Sequence, residues 1–157
     1  MTPAVGNPVE AIVIRNPRGG DAPAVARLVD QLGYSTHPSE ITRRLDRFAA
    51  NPATHALVAV EAETAVGIGV VHFIDILEGD RPLAALIVLI VDEGHRGRGV
   101  GAALIRELER EAEARDSFAI SVHSGQHRVG AHAFYRRLGY ELTGERIRKL
   151  LRPDAAV

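Results

Sequence analysis

VLIVDEGHRGRGVGAAL, residues 88–104, passes from an apolar run through a charged turn into glycines and then a helix-forming segment. The apolar run ends at Val91, and Asp92-Glu93-Gly94-His95 makes the turn. Arg96-Gly97-Arg98-Gly99-Val100-Gly101 follows. A strand that delivers a glycine-rich turn to a helix start gathers free backbone N–H groups at the positive end of the helix dipole. Glycine lets that backbone approach a phosphate where a Cβ would collide. The pattern points to a phosphate-bearing ligand held mainly by main chain.

Working outward, residues 83–91 contain no polar side chain. A strand apolar on both faces is expected inside a covered sheet. Two β-type runs precede it, residues 55–61 (HALVAVE) and 66–76 (VGIGVVHFIDI), with a link short enough for a hairpin. Gly67 and Gly69 within the second run suggest a bulge or a close backbone approach. Nearer the N-terminus, residues 11–15 (AIVIR) read as a short strand. A helix then follows, with Asp21 as its cap and Val25, Leu28, Val29 and Leu32 on one face. A second helix is expected to start at Thr36 or Ser39, bury Ile41, Leu45 and Phe48, and end at Asn51-Pro52.

Beyond the glycines, Val100, Ala103, Leu104, Leu108 and Ala112 share a helix face. Residues 118–122 (FAISV) read as a strand, 129–138 as a helix closed by Gly139, and 140–142 and 147–151 as final strands. The order β α α β β β α β α β β predicts an α/β (α+β) architecture, a mixed sheet with helices on both faces. Residues 1–10 read as a flexible tail, and 11–157 as one domain.

Bulk properties narrow the function. The 157 residues are 46% hydrophobic and 25% charged, with a net charge of −1, so nothing marks a nucleic-acid or anionic-membrane surface. Cysteine is absent, which excludes thiolate nucleophiles and Cys-type zinc sites. No secretory signal or bilayer-length apolar run is visible, so a cytoplasmic location is expected. Of the seven histidines, His123, His127 and His132 fall on a strand end, a loop and a helix, without clustered carboxylates, and no metal is expected.

Among phosphate motifs, a P-loop needs a lysine that these glycines lack. Gly97, Gly99 and Ala102 satisfy the dinucleotide pattern G-x-G-x-x-A, but residues 118–126 supply no acidic residue for a ribose, and the motif stands late in the chain rather than at its start. Glycines that merely make a tight turn remain a bland alternative.

Residues 96–101 match Arg/Gln-x-x-Gly-x-Gly/Ala, and Ala131-His-Ala-Phe-Tyr135-Arg-Arg-Leu-Gly139-Tyr140 is similar to Ala-x-x-x-Tyr-x-x-x-Gly-Phe/Tyr. In this order and separation the two blocks resemble the GNAT superfamily of N-acetyltransferases. The resemblance implies the acyl-CoA N-acyltransferase fold, with a mostly antiparallel mixed sheet, and acetyl-CoA as cosubstrate. It assigns the backbone of Leu89, Ile90 and Val91 to pantetheine, and the amides of Arg96, Gly97, Arg98, Gly99, Val100 and Gly101 to the pyrophosphate. Arg128 stands where relatives commonly have an asparagine that touches the pantetheine region; an arginine there could instead reach a CoA phosphate or simply face water. Tyr135 matches the usual general acid.

Many relatives place a catalytic carboxylate on the central strand, whereas residues 86–90 contain none. His72 and Asp75 on the preceding strand, and Glu78 and Asp80 after it, are the candidate substitutes, with a water chain to bulk as the alternative. The expected reaction is acetyl transfer to a primary amine by direct attack in a ternary complex. The missing carboxylate motivates a second reading, a catalytically silent acyl-CoA-binding module. The acceptor is open among small amines, aminoglycosides, polyamines and peptide amines. Family members often pair as homodimers.

Overall fold

The computed structural model describes residues 11–122, 129–144 and 149–152. They form two compact units that meet in sequence between His123 and Ser124.

In the first unit the strands are β1 (Val13–Arg15), β2 (Thr54–Glu61), β3 (Thr64–Ile74), β4 (Leu83–Val91) and β5 (Ala119–Val122), and the helices are α1 (Ala22–Asp30), α2 (Pro38–Ala50) and α3 (Val100–Ala114). The sheet runs β1-β2-β3-β4-β5, antiparallel throughout except for the parallel β4–β5 pair. The expected mixed, mostly antiparallel sheet is therefore present, and β4 has a strand on either side.

Alternation along β3 sorts the helices onto opposite faces. Ile68 and Val70 join Val58, Val60 and Ile90 in a core with Val25 and Leu28 of α1 and Ile41 of α2. Gly67 and Gly69 point the other way, at α3. A Cβ on Gly67 would stand 3.1 Å from Leu104 Cδ1 and 3.2 Å from the Ile90 carbonyl; one on Gly69 would stand 2.8 Å from Leu108 Cδ1. Leu104 and Leu108 are fully buried and have little room to yield. These two glycines thus let α3 lie close on the sheet, one of the two roles expected of them.

Two local details place the site. Glu61 pairs with Thr64 across a two-residue turn in which Ala62 (φ 48°) and Glu63 (φ 62°) are both left-handed, the geometry that suits a tight hairpin. In β4, Val88 pairs with Val70 but Leu86 pairs with Val71, so Ile87 is an extra residue, a bulge, and stands 42% exposed.

Helix starts depart slightly from expectation. α2 begins at Pro38 because His37 caps it: Ser39 N–H donates to His37 Nδ1 (3.2 Å), and His37 N–H donates back to Glu40 Oε2 (3.0 Å). Asp21 precedes α1 as expected, but its carboxylate turns back to Arg15 (2.7 and 2.9 Å) and to the Arg18 N–H (2.6 Å) instead of capping the helix.

The second unit holds α4 (Val129–Arg137). The Leu138 and Tyr140 N–H groups both donate to the Tyr135 carbonyl, and Gly139 is left-handed (φ 91°), so the chain turns sharply there. Residues 140–142, read from sequence as a strand, are irregular. A strand forms only against a partner ladder, and among the described residues of this unit there is none. Part of the last expected strand, residues 147–148, lies outside the described residues, and 149–151 are not strand.

Candidate coenzyme site

The parallel pairing of β5 with β4 covers Leu83 to Leu86. Among the described residues, β4 from Ile87 to Val91 has a partner on the β3 side alone. Just beyond, the Asp92 N–H donates to the Val66 carbonyl of β3 at 2.8 Å. By the two-residue alternation of a strand, Ile90 shares that direction, while Leu89 and Val91 turn their peptide groups to the open side. Of the three residues assigned to pantetheine, Leu89 and Val91 therefore present the ladder groups. On that side Arg96 Nε donates to the Val91 carbonyl at 3.2 Å.

After β4, Asp92 caps a single 3-10 turn, Glu93–His95, through a 3.1 Å bond from the Gly94 N–H. Arg96 is extended, and Gly97 (φ 74°) and Gly99 (φ 82°) are left-handed, with nothing within 4 Å of where a Cβ would stand. Gly99 is the residue before α3, no side chain caps that helix end, and its first turn carries no acidic residue. The N-terminal amides of α3 are therefore offered to an anion at the positive end of the helix.

Side chains from α1 and β2 brace the turn. Gln31, at the C-terminal end of α1, donates to Asp92 Oδ1 (2.7 Å) and accepts from the Glu93 N–H (3.0 Å). Asp92 Oδ2 lies 2.7 Å from His95 Nδ1, and His95 Nε2 lies 2.8 Å from Glu61 Oε2. Glu61 Oε1 accepts from Arg98 at 2.7 Å. The hydrogen bond to Asp92 does most to raise the His95 pKa above its ordinary value; burial opposes it and Glu61 adds to it. Glu61 is held below the usual carboxylate range, first by Arg98 and then by His95, and Asp92 likewise by Gln31 and then His95.

Nothing in the local sequence assigns a role to Glu61, Gln31 or His95. Glu61 and His95 are 34 residues apart, and Gln31 and Asp92 are 61 apart, so no local spacing announces either contact.

The proposed bases lie elsewhere. His72, on β3, pairs across to Ala85, two residues before the bulge, and its Nδ1 is 3.1 Å from Thr54 Oγ1. Asp75 follows the end of β3 and is exposed. Tyr135 lies on α4 in the second unit, its ring edge-on to Phe134 (5.1 Å) and Tyr140 (5.6 Å). Arg128 lies outside the described residues. A cavity of about 320 Å³ is lined by the Asn16–Gly19 loop, α2 and the start of β2. It sits near His55, whereas the glycine turn meets Glu61 at the other end of β2, about 20 Å away. Among the described residues no group of three or more His, Asp or Glu side chains forms a metal site, and no helix is long and apolar enough to cross a membrane.

Among the described residues, a ladder edge without a second partner, a left-handed glycine turn and an uncapped helix start follow one another along the chain. Residues 23–140 match the model of the Acetyltransferase (GNAT) family, and the chain belongs to that family, whose members are acetyl-CoA-dependent acyltransferases. An uncharacterised N-acetyltransferase from Methanocaldococcus jannaschii is 38% identical over 61 residues, 39% of this chain and 27% of that protein, so the chain matches about a quarter of this relative's length. A putative acetyltransferase from Agrobacterium tumefaciens superposes with a TM-score of 0.77 at 24% identity, over 87% of this chain and 99% of that one. An aminoglycoside N-acetyltransferase solved in complex with CoA superposes at 0.79 and 17% identity, over 97% of this chain and 99% of that one. At these identities the two structures speak for a shared fold.

Proposed function

We propose that this chain transfers the acetyl group of acetyl-CoA to a primary amine by direct attack within a ternary complex. The observation that carries the reading is the continuity between the open edge of β4 and the uncapped N-terminus of α3. The peptide groups of Leu89 and Val91 would pair with the pantetheine arm like an added strand, with Ile90 anchored to β3 between them. The amides from Arg96 to Gly101 would receive the pyrophosphate, and Arg128 a neighbouring part of the coenzyme. The fit is supported by the open space at Gly97 and Gly99 and the absence of an acid in the first turn of α3.

In the reaction the amine lone pair attacks the thioester carbonyl, forming a C–N bond as the C–S bond breaks. Tyr135 is the group we assign to protonate the departing sulfur, and His72, ahead of the exposed Asp75, the group to take the proton from the amine. The same reading makes the acceptor a small-molecule or peptide amine in the cytoplasm, with neither metal nor nucleic acid taking part, and a homodimer the expected assembly. The fold neighbours include an aminoglycoside N-acetyltransferase and a glucosamine-6-phosphate N-acetyltransferase, which puts amino sugars first among the amines to try.

The test is release of free thiol from acetyl-CoA against a panel of amino sugars, aminoglycosides, polyamines and peptides. At least one amine is expected to turn over. Tyr135→Phe is expected to lower kcat by about a hundredfold while leaving CoA affinity unchanged. CoA binding without turnover of any amine, and no effect of Tyr135→Phe, would replace the enzyme with a silent acyl-CoA-binding module.

A further inference from the structure

We propose that His95 is the positioning residue of the pyrophosphate loop: its imidazolium ties Asp92 to Glu61, and the loop keeps its anion-receiving shape while that tie is made. The inference rests on the coenzyme reading of the loop.

Geometry carries it. Both carboxylates are anchored to the sheet, Glu61 by the tight hairpin at the end of β2 and Asp92 by its N–H bond to Val66. His95 reaches one oxygen of Glu61, and Arg98 reaches the other. Glu61 therefore grips the loop at two points, and the residues between them are Arg96 and Gly97, whose amides the coenzyme reading assigns to the pyrophosphate. Each ring nitrogen of His95 lies within 2.8 Å of a carboxylate oxygen, and only the protonated ring can donate at both. A neutral ring turns a lone pair toward one of those carboxylates, and that bond opens.

The charge count works in the same direction. Asp92 and Glu61 are the charges that act on the ring; Arg98 stands beyond Glu61, and the neutral Gln31 beyond Asp92. With His95 protonated, two carboxylates face two cations. Without the proton the cluster is net negative beside the place where an anion must bind. The raised pKa of His95 carries the tie above the ordinary histidine range and lets it fail as pH climbs.

Calorimetric titration with CoA from about pH 6 to about 8.5, on wild type, His95→Gln and His95→Lys, tests the proposal. Lysine keeps its charge across this window, so it holds the bridge without the titration. Ionisation of the CoA phosphates is common to all three proteins and cancels in their ratios. The expected result is a wild-type Kd that worsens with pH by about tenfold relative to His95→Lys. His95→Gln is expected to bind about tenfold more weakly than wild type at the acid end, with the gap closing as pH rises.

Parallel pH profiles for wild type and His95→Lys would overturn the proposal, whatever the melting temperatures, because a purely structural role predicts lower stability without a changed profile. The wild-type and lysine pair suffices should the glutamine variant fail to fold. Wild type that binds no CoA at any pH is a different result: it removes the coenzyme reading itself, and this inference with it.

Discussion

The junction from β1 into α1 and the junction from β4 into α3 both bring glycines and arginines to the start of a helix. In the first, Asp21 stands at the helix end, accepts from the Arg18 N–H and is gripped by both terminal nitrogens of Arg15. Its charge already answers the helix dipole, and its side chain is buried. In the second, Asp92 and Glu61 are bound to His95, Gln31 and Arg98, and the first turn of α3 has no acid of its own. On the proposed coenzyme reading, glycines are not what distinguishes an anion site from a turn. The distinction lies in whether the chain supplies its own anion there.

The substitution with the largest expected effect is Gly99→Val. A β-branched residue at φ 82° is strained, and its side chain would fill the space through which the ligand approaches the backbone. CoA affinity is expected to fall by at least about a hundredfold by calorimetry, with a far-UV spectrum like wild type. Unchanged affinity would remove the pyrophosphate assignment and with it the contrast between the junctions.

Next comes Arg15→Met, which leaves the Asp21 carboxylate buried without its main partner. Thermal unfolding is expected to show a loss of about 2–3 kcal/mol near neutral pH, with CoA affinity unaltered. The sign of its pH dependence follows from Asp21. Burial pushes that carboxyl up, but the Arg15 and Arg18 hydrogen bonds outweigh it and hold the pKa below the ordinary 3.8. Wild type therefore has this contribution above about pH 4 and loses it as acid protonates the group. In the variant burial is no longer outweighed by Arg15, so the difference in stability should narrow below about pH 4; a constant gap down to about pH 2–3 would count against the pair as described.

The smallest effect is expected for Gly19→Val. Nothing lies within 4 Å of a Cβ there, and the φ is not in the left-handed region. Stability should move by no more than about 0.5 kcal/mol and CoA binding not at all. A large loss of CoA affinity from this substitution would show the first junction to be part of the site.

What the sequence makes legible is local. β4 can be read to the residue because its nine apolar positions end abruptly at Asp92, and α3 because its buried stripe begins right after a glycine. What escapes reading is non-local. Glu61 reads as the last residue of an alternating strand, and nothing near it in sequence says that it faces His95 and Arg98. The His37 cap escapes for a different reason, since Thr36 and Ser39 beside it are better cappers by type. The Ile87 bulge is invisible because its strand is apolar on both faces, and a pattern without alternation cannot show where alternation slips.

That slip resets the frame of the strand. Before Ile87 the even-numbered residues Ala84 and Leu86 share a face with Phe73 and Val71; after it the odd-numbered Leu89 shares a face with Gly69. One residue has changed the reading frame of the strand, and the sequence tolerates it because an aliphatic residue suits either side. Deleting Ile87 would restore an unbroken frame in β4, with every residue of the strand alternating against β3.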